Sequence, residues 1–458
     1  MKCFTSITSC VCGLLVVCLL VAAAQAGQDS VAAQAKEILD IAGVPGGIVV
    51  HLGCGDGKLT AALRANDSYT VVGLEADAAK VGQARKYIQE QGIYGDVSVE
   101  QHSGQVLAYT DNLINLVVVQ DAGQVPMDEV MRVLAPGAVA CVQRGGKWQR
   151  ITKARPGNID EWSHFLHDAS NNAVAKDSVV GPPRSLQWVA PPLWLRSHET
   201  PSGIESTISA GGRMFYFFDE GLIGITDERL PDRWSLICRD AFNGKLLWKR
   251  PLKAWGWREW NPARWEGKDW TTITGGRTDV PNENQRRIVA DGDRVYTTLS
   301  YGAPMSILDA ATGNVIATVE QTQDASEILT SDGSVLVYTQ SASESVSRRR
   351  GAKDVAAGAL VAVNGRTGKV LWEKQTGQIR PLMLAIDNGR IIYLTGKDLV
   401  ALDLKDGHQL WKVQPKQNAP KTLLTVDDVV VMQGGKLVAA HDAVDGKLLW
   451  DKTVPQIG

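Results

Sequence analysis

One phrase, written five times in the second half of the chain, constrains the fold more than any other feature. It reads LICRDAFNGKLLWKR (236–250), SILDAATGNVIATV (306–319), LVAVNGRTGKVLWEK (360–374), LVALDLKDGHQLWKV (399–413) and LVAAHDAVDGKLLWDK (437–452). Its anchor glycines, Gly244, Gly313, Gly368, Gly407 and Gly446, are spaced 69, 55, 39 and 39 residues apart, a unit of 39 with insertions in the first two intervals. A period near 40 with a fixed turn signal indicates a β-propeller of four short strands per blade. In each unit an apolar strand reaches an Asp or Asn (Asp240, Asp309, Asn364, Asp403, Asp442) able to bond its own turn. The Gly supplies a positive φ. The Trp four residues later (Trp248, Trp372, Trp411, Trp450) lies flat between neighbouring sheets, and Ala317 in its place weakens one docking contact. Five blades are visible, with Leu186-Gln187-Trp188 as a further strand for closure. Such propellers close with about seven or eight blades, so the expectation is a fragment, or open edges that need a partner.

The composition agrees and excludes several classes. With 44% hydrophobic and 21% charged residues, the 458-residue chain is neither disordered nor fibrous. Its 48 basic and 50 acidic side chains nearly cancel, which argues against nucleic acid as a partner. Lys2, the apolar run 11–24 and Ala24-Gln25-Ala26 describe a signal peptide over residues 1–26. The run is short for a membrane span of about 20 residues. The expectation is export to the periplasm or beyond, with no transmembrane segment after cleavage. Cys3, Cys10, Cys12 and Cys18 leave with that peptide; Cys54, Cys141 and Cys238 form neither a disulfide framework nor a metal motif.

Residues 32–150 alternate helix and strand signals: a helical stretch 32–41, an apolar run 48–52, the helical KLTAALRA, a strand 69–74 ending at Glu75 and a helix 78–90. A strand near 97–100, an apolar run 113–120, a helix 127–134 stopped by Pro136-Gly137 and a strand 138–143 follow. Strands alternating with helices imply a parallel sheet with right-handed crossovers. In HLGCGDG (51–57), Gly53, Gly55 and Gly57 let the backbone bend sharply and approach a ligand. The next helix offers free N–H groups and a positive dipole end. Glu75, at the carboxyl end of the next strand, sits where an acid accepts hydrogen bonds from both ribose hydroxyls.

VVHLGCGDG, VVGLEAD and MDEVMRVLAPGAVACV make roughly residues 32–145 resemble a class I S-adenosyl-L-methionine-dependent methyltransferase domain; the last resembles the L-x-P-G-G segment at that family's fifth strand. The resemblance implies a Rossmann-like sheet and S-adenosyl-L-methionine as cofactor. It implies that Gly53, Gly55 and Gly57 contact the methionine part and Glu75 the ribose, with transfer by direct displacement. It names no catalytic base and no methyl acceptor. The chain departs from the family in two places. Ser103 stands where an Asp contacts the adenine amino group, and Asn115 where an Asp opens the fourth strand. No Asn-Pro-Pro-Tyr-like motif follows that strand, and Trp148 already begins a different pattern.

The phrase A-x-D-x-x-T-G-x-x-x-W resembles the pyrroloquinoline-quinone-like propeller superfamily, which holds quinoprotein dehydrogenases and the BamB-type scaffold of outer-membrane assembly. Quinone binding is not expected from it, since no adjacent Cys pair and no calcium site is found. The whole chain resembles large secreted bacterial proteins that join these two domains. In the connector, His164, His167 and Asp168, with His198-Glu199 beyond, offer metal-type ligands; the alternative is an Asp- and Asn-rich linker capping its own turns. The insertion 253–287 carries Trp255, Trp257, Trp260, Trp265 and Trp270 beside Arg258, Arg264, Arg277, Arg286 and Arg287. It is either a platform for a sugar or an anion, or a loop packing its own indoles. A second insertion, 341–353 with Arg348, Arg349 and Arg350, reads as a solvated basic loop.

The fold class is therefore α/β plus all-β. Residues 1–26 are a signal peptide, 32–150 the methyltransferase-like domain, 151–185 a connector and 186–458 the propeller. Three function classes stay open: a methyltransferase-like domain fused to a propeller that binds a protein or small-molecule ligand, a non-enzymatic BamB-like scaffold, and a quinone-dependent oxidoreductase.

Overall fold

The computed structural model describes residues 29–182, 184–191, 204–221, 233–255, 259, 285–340, 358–416 and 420–455. The chain divides into two compact units, Met1–Pro156 and Gly157–Gly458.

In the first unit, helix α1 (29–42) precedes β1 (Gly47–Leu52), α2 (Lys58–Ala62), β2 (Tyr69–Glu75), α3 (Ala78–Glu90) and β3 (Val97–Gln101). Then come β4 (Ile114–Val119), α4 (Met127–Val133), β5 (Leu134–Arg144) and β6 (Lys147–Thr152). The sheet order is β3-β2-β1-β4-β5-β6, parallel as far as β5, with β6 antiparallel. The strand order reverses between β1 and β4, and that reversal opens a crevice at their carboxyl ends. Helix α3 starts where the Asp77 carboxylate accepts the Ala79 and Lys80 amides, and it buries Val81, Ala84 and Ile88 at helical spacing.

Three expectations need correction here. Helix α2 stops at Ala62, so it is too short to contribute much of a dipole. Pro136-Gly137 does not separate a helix from a strand: β5 begins at Leu134 and runs through both. A register shift opposite Ile114–Leu116 and the positive φ of Gly137 absorb the Pro. Trp148 begins no new pattern. Gly145 and Gly146, both at positive φ, form a two-residue hairpin that returns β6 onto β5 and buries Trp148.

Among the described residues the second unit contains five antiparallel four-stranded sheets. Blade one is β7 (Ile204–Ala210), β8 (Arg213–Asp219), β9 (Trp234–Asp240) and β10 (Leu246–Pro251). Blade two is β11 (Ile288–Asp291), β12 (Arg294–Thr298), β13 (Met305–Asp309) and β14 (Val315–Val319). Blade three is β15 (Ala325–Ser331), β16 (Ser334–Thr339), β17 (Gly358–Asn364) and β18 (Val370–Thr376). Blade four is β19 (Ile379–Asp387), β20 (Arg390–Thr395), β21 (Asp398–Asp403) and β22 (Gln409–Val413). Blade five is β23 (Thr422–Val426), β24 (Val429–Gly434), β25 (Leu437–Asp442) and β26 (Leu448–Thr453). The first strands touch one another in the order β7, β11, β15, β19, β23, as inner strands around an axis do.

The repeated phrase does what its residue types require. Asp240, Asp309, Asn364, Asp403 and Asp442 each accept a backbone amide of their own turn. The anchor glycines sit at φ of 70 to 77°. Trp248, Trp372 and Trp411 each lie against the glycine turn of the following blade and donate the indole N–H to the carbonyl after that blade's Asp. Trp248 reaches Ala310, Trp372 reaches Leu404 and Trp411 reaches Ala443, all at 3.0 Å. A methyl added to Gly313, Gly407 or Gly446 would lie within 2.8 Å of that indole. Ala317 makes a thinner contact, at 3.3 Å from such a methyl on Gly368. Leu186-Gln187-Trp188 is not a strand, yet Trp188 occupies the same seat on Gly244 and donates to Ala241 at 3.2 Å. Trp450 does not lie between sheets and is 44% exposed.

Residues 162–171 of the connector run along the inner strands. The penultimate residue of every inner strand gives its backbone N–H to this one segment: Ser209 to Trp162 O, Ala290 to Ser163 O, Thr330 to the His164 ring, Ile386 to Ala169 O and Thr425 to Ser170 O. Asn171 adds its amide to Leu384 O and Leu423 O, joining blades four and five. A segment read as a linker is thus an axial hub. Asn171→Leu should destabilise the propeller by about 2 kcal/mol, because two buried carbonyls lose their donor. Gly446→Ala and Gly435→Ala both place a side chain at positive φ, but only Gly446 faces an indole. Chemical denaturation should therefore show Gly446→Ala more destabilising by about 1–3 kcal/mol, the cost of overpacking.

Candidate functional site

A cleft of about 260 Å³ opens at the carboxyl ends of the first unit's parallel strands. Its walls come from Leu52-Gly53 after β1, Leu74 to Ala76 at the end of β2, His102 to Gly104 after β3 and Asp121 to Val125 after β4. The size falls just below the usual range of small-molecule sites, which starts at about 300 Å³.

Glu75 is buried on the cleft wall. One of its carboxylate oxygens accepts the Gly55 amide at 3.0 Å and the other the Asp77 amide at 3.1 Å. An ionised carboxylate has about four lone-pair positions, so two remain for a ligand's hydroxyls. Gly53 also lines the cleft, but packing explains its identity: a methyl there would come within 2.6 Å of Asp121 Cβ, where the β1 and β4 turns nearly touch. Gly55 does not line the cleft; its amide braces Glu75. Gly57 does not line it either. It caps α2 at φ 79°, and a methyl there would strike Ala84 of α3 at 2.8 Å. The structure thus brings two of the four sequence candidates, Gly53 and Glu75, into the cleft and makes the other two its frame.

Ser103 lines the cleft as its alignment implied, whereas Asn115 sits at the far end of β4, where its side-chain oxygen accepts the Ile48 amide at 2.8 Å. Sequence reasoning passed over His102, Asp121 and Gln124, which also line it. Their signal was positional: each follows a parallel strand on the ligand side. The His102 Nε2 is buried with no hydrogen-bond partner among the described residues, and the Asp121 carboxylate accepts the Gly123 amide.

Near the cleft, His51 joins β1, α2 and the end of β4. Its Nε2 donates to Gln120 Oε1 at 3.2 Å, and its Nδ1 accepts from the Thr60 hydroxyl at 2.9 Å. Burial pushes its pKa down to about 4 and pushes the Cys54 thiol up to about 11, so both groups are uncharged at neutral pH.

The connector residues are engaged with their own unit. His164 is buried, accepts the Thr330 amide on Nε2 and contacts Ser163 Oγ through Nδ1; burial lowers its pKa to about 4. His167 sets Nε2 2.7 Å from Asp160 and Nδ1 3.3 Å from Asp168, while Lys176 pairs with Asp168 at 3.0 Å. His198-Glu199 lie outside the described residues. The structure also gathers Asp403, Asp406 and His408, an exposed group whose carboxylates already accept amides of their own turn. Of the tryptophan-rich insertion, Trp255 is buried against Phe217, with the Arg287 guanidinium over Tyr301 at 4.4 Å, and Arg286 pairs with buried Glu327. This part is packed rather than presented. Trp257, Trp260, Trp265, Trp270, Arg258, Arg264, Arg277 and the 341–353 insertion lie outside the described residues.

These features define a methyltransferase-like α/β unit and a propeller of pyrroloquinoline-quinone-like repeats. The family described as outer membrane protein assembly factor BamB matches residues 192–383 and 356–457, and a methyltransferase domain matches 49–145. The chain belongs to the BamB-type repeat family. No curated protein matches it significantly. Similar solved structures include a europium-containing methanol dehydrogenase (11% identity, TM-score 0.41, 65% of this chain and 59% of that one). A quinohemoprotein alcohol dehydrogenase from Comamonas testosteroni is similar too (12%, 0.41, 66% and 50%). So is a putative S-adenosyl-L-methionine-dependent methyltransferase from Methanococcus maripaludis (21%, 0.22, 25% and 55%). This chain spans less than two thirds of each. Among the described residues no helix is long and apolar enough to cross a membrane.

Two of the buried histidines, His51 and His164, set a pH response. Both are neutral when folded and have an ordinary pKa of 6.5, so their contribution is complete above pH 6.5 and is lost as pH falls toward 4. Each should cost on the order of 3 kcal/mol over that window. Melting curves from pH 7.5 to 4.5 should show both units weakening, and His51→Gln should flatten the slope for the first unit alone.

Proposed function

We propose that the α/β unit binds S-adenosyl-L-methionine in the cleft at the ends of β1 to β4. The observation that carries this reading is Glu75, an acid at the end of the second parallel strand with acceptor capacity left for a vicinal diol. Glu75 would hold the ribose, and the backbone at Gly53 would approach the methionine part. When bound, the cofactor supplies an electrophilic methyl group for direct displacement. Asp121, His102 and Ser103 would then face bound molecules from the opposite wall. The propeller serves as a scaffold that binds a protein or small-molecule ligand. In this reading the chain is exported through residues 1–26.

One observation favours a second reading, in which the first unit keeps the fold without catalysis. Both Glu75 oxygens already hold backbone amides, and packing alone accounts for Gly53 and Gly57. A quinone-dependent reaction has less support. The inner-strand amides at one end of the axis are donated to 162–170, and the sole described cysteine of that unit, Cys238, is buried.

Calorimetric titration of the protein with S-adenosyl-L-methionine and S-adenosylhomocysteine separates the readings. Binding is expected, and Glu75→Gln should weaken it by about tenfold or more, the loss of a charge-assisted hydrogen bond. No heat at millimolar ligand would leave the non-catalytic reading.

A further inference from the structure

In the connector, His167 and Asp168 stand side by side, and each side chain is held from behind. His167 is 3% exposed, and its Nε2 donates to the Asp160 carboxylate at 2.7 Å. Asp160 is itself fixed, since it also accepts the amides of Glu161 and Lys176. The Asp168 Oδ1 accepts the Ser170 amide at 2.9 Å and the Ser170 hydroxyl as well. Those bonds leave one atom of each side chain turned toward the other, His167 Nδ1 and Asp168 Oδ2, 3.3 Å apart. The Nδ1 is buried and makes no hydrogen bond among the described residues. With the ring proton on Nε2, an imidazole lone pair faces carboxylate lone pairs, and the two repel unless a cation lies between them.

A second bare acceptor lies close by. Asp387 ends β19, next to the Ile386 amide that bonds Ala169, and its Oδ2 is buried without a hydrogen-bond partner. Burial pushes its pKa up, and the Asp428 and Asp168 carboxylates add to that, while Arg390, which opposes it, pairs with Asp428. The positive charge at Asp168 is the Lys176 ammonium, 3.0 Å from Oδ2 on a side chain that is 74% exposed.

We propose that His167 Nδ1 and Asp168 Oδ2 are the anchoring ligands of a site for a divalent transition metal such as zinc, with Asp387 available as a third and Lys176 as the competitor. Zinc bonds of about 2.1 Å at a tetrahedral angle span about 3.4 Å between ligand atoms, close to the observed 3.3 Å. A metal-bound imidazole almost always donates its other N–H to a carboxylate, the place Asp160 fills here. An imidazole beside carboxylates suits zinc better than calcium or magnesium, which take oxygen ligands. The rival occupant of the gap is a proton on Nδ1. The inference concerns the connector alone and is independent of the cofactor reading.

Zinc titration of the full chain, stripped with a chelator and read against a chromophoric competitor, tests it. One equivalent is expected to bind at micromolar zinc. Asp168→Asn should weaken binding at least tenfold, and Asp160→Asn, which acts through the His167 ring, by about tenfold or more. His408→Gln, in the exposed group of blade four, should change nothing. Lys176→Met should tighten binding by about tenfold, because the competing ammonium is gone, and a folding defect cannot produce that gain. No binding by either the wild type or Lys176→Met overturns the inference and leaves the proton as occupant. Binding that survives Asp168→Asn, or that Lys176→Met leaves unchanged, overturns it as well, because the ion then sits elsewhere.

Discussion

Five equivalent backbone N–H groups converge on one axis, and the second unit depends on their having acceptors. Each belongs to the penultimate residue of an inner strand, where the strand has no sheet neighbour toward the axis. A buried amide without a partner costs about as much as a lost hydrogen bond, so five of them would cancel much of the stability of a domain. Residues 162–170 meet the requirement in order, four times with a carbonyl and once with the ring of His164. Burial keeps His164 neutral, and that leaves its Nε2 free to accept the Thr330 amide.

The same accounting governs the first unit. Its crevice exists because the strand order reverses beside β1, and the ends of neighbouring strands then diverge. Glu75 stands at that divergence, bracing the β1 turn through Gly55 and its own chain through Asp77 while still facing the cleft. The site is thus built by the residues that would use it. A ligand that meets Glu75 finds a carboxylate already oriented by two amides, so little ordering cost remains at that atom.

Much of the architecture was legible from local signals. The Asp, Gly and Trp of the repeat each have a role set by side-chain chemistry within a few residues, and each appears in that role except Trp450, which is exposed. Strands β1, β2 and β4 and helix α3 were visible as apolar periods between breakers. The connector was not legible. Its Asp and Asn content resembles any turn-rich linker, and nothing local tells Trp162 that its carbonyl will meet Ser209. Pro136-Gly137 misled for the related reason that a register shift against β4 absorbs a Pro that local rules read as a stop. His102 and Asp121 carry no motif; only the strand ends that precede them bring them together.

By itself the sequence determined the kinds of unit present, because hydrophobic period, turn chemistry and repeat spacing act over a few residues. Tertiary structure alone decided which glycine faces a ligand and which faces a helix, which indole is covered and which is bare, and that a linker is an axial support. Those outcomes depend on what lies opposite in space, and the groups that meet there, Asn171 with Leu384 and Leu423 among them, stand more than two hundred residues apart in the chain.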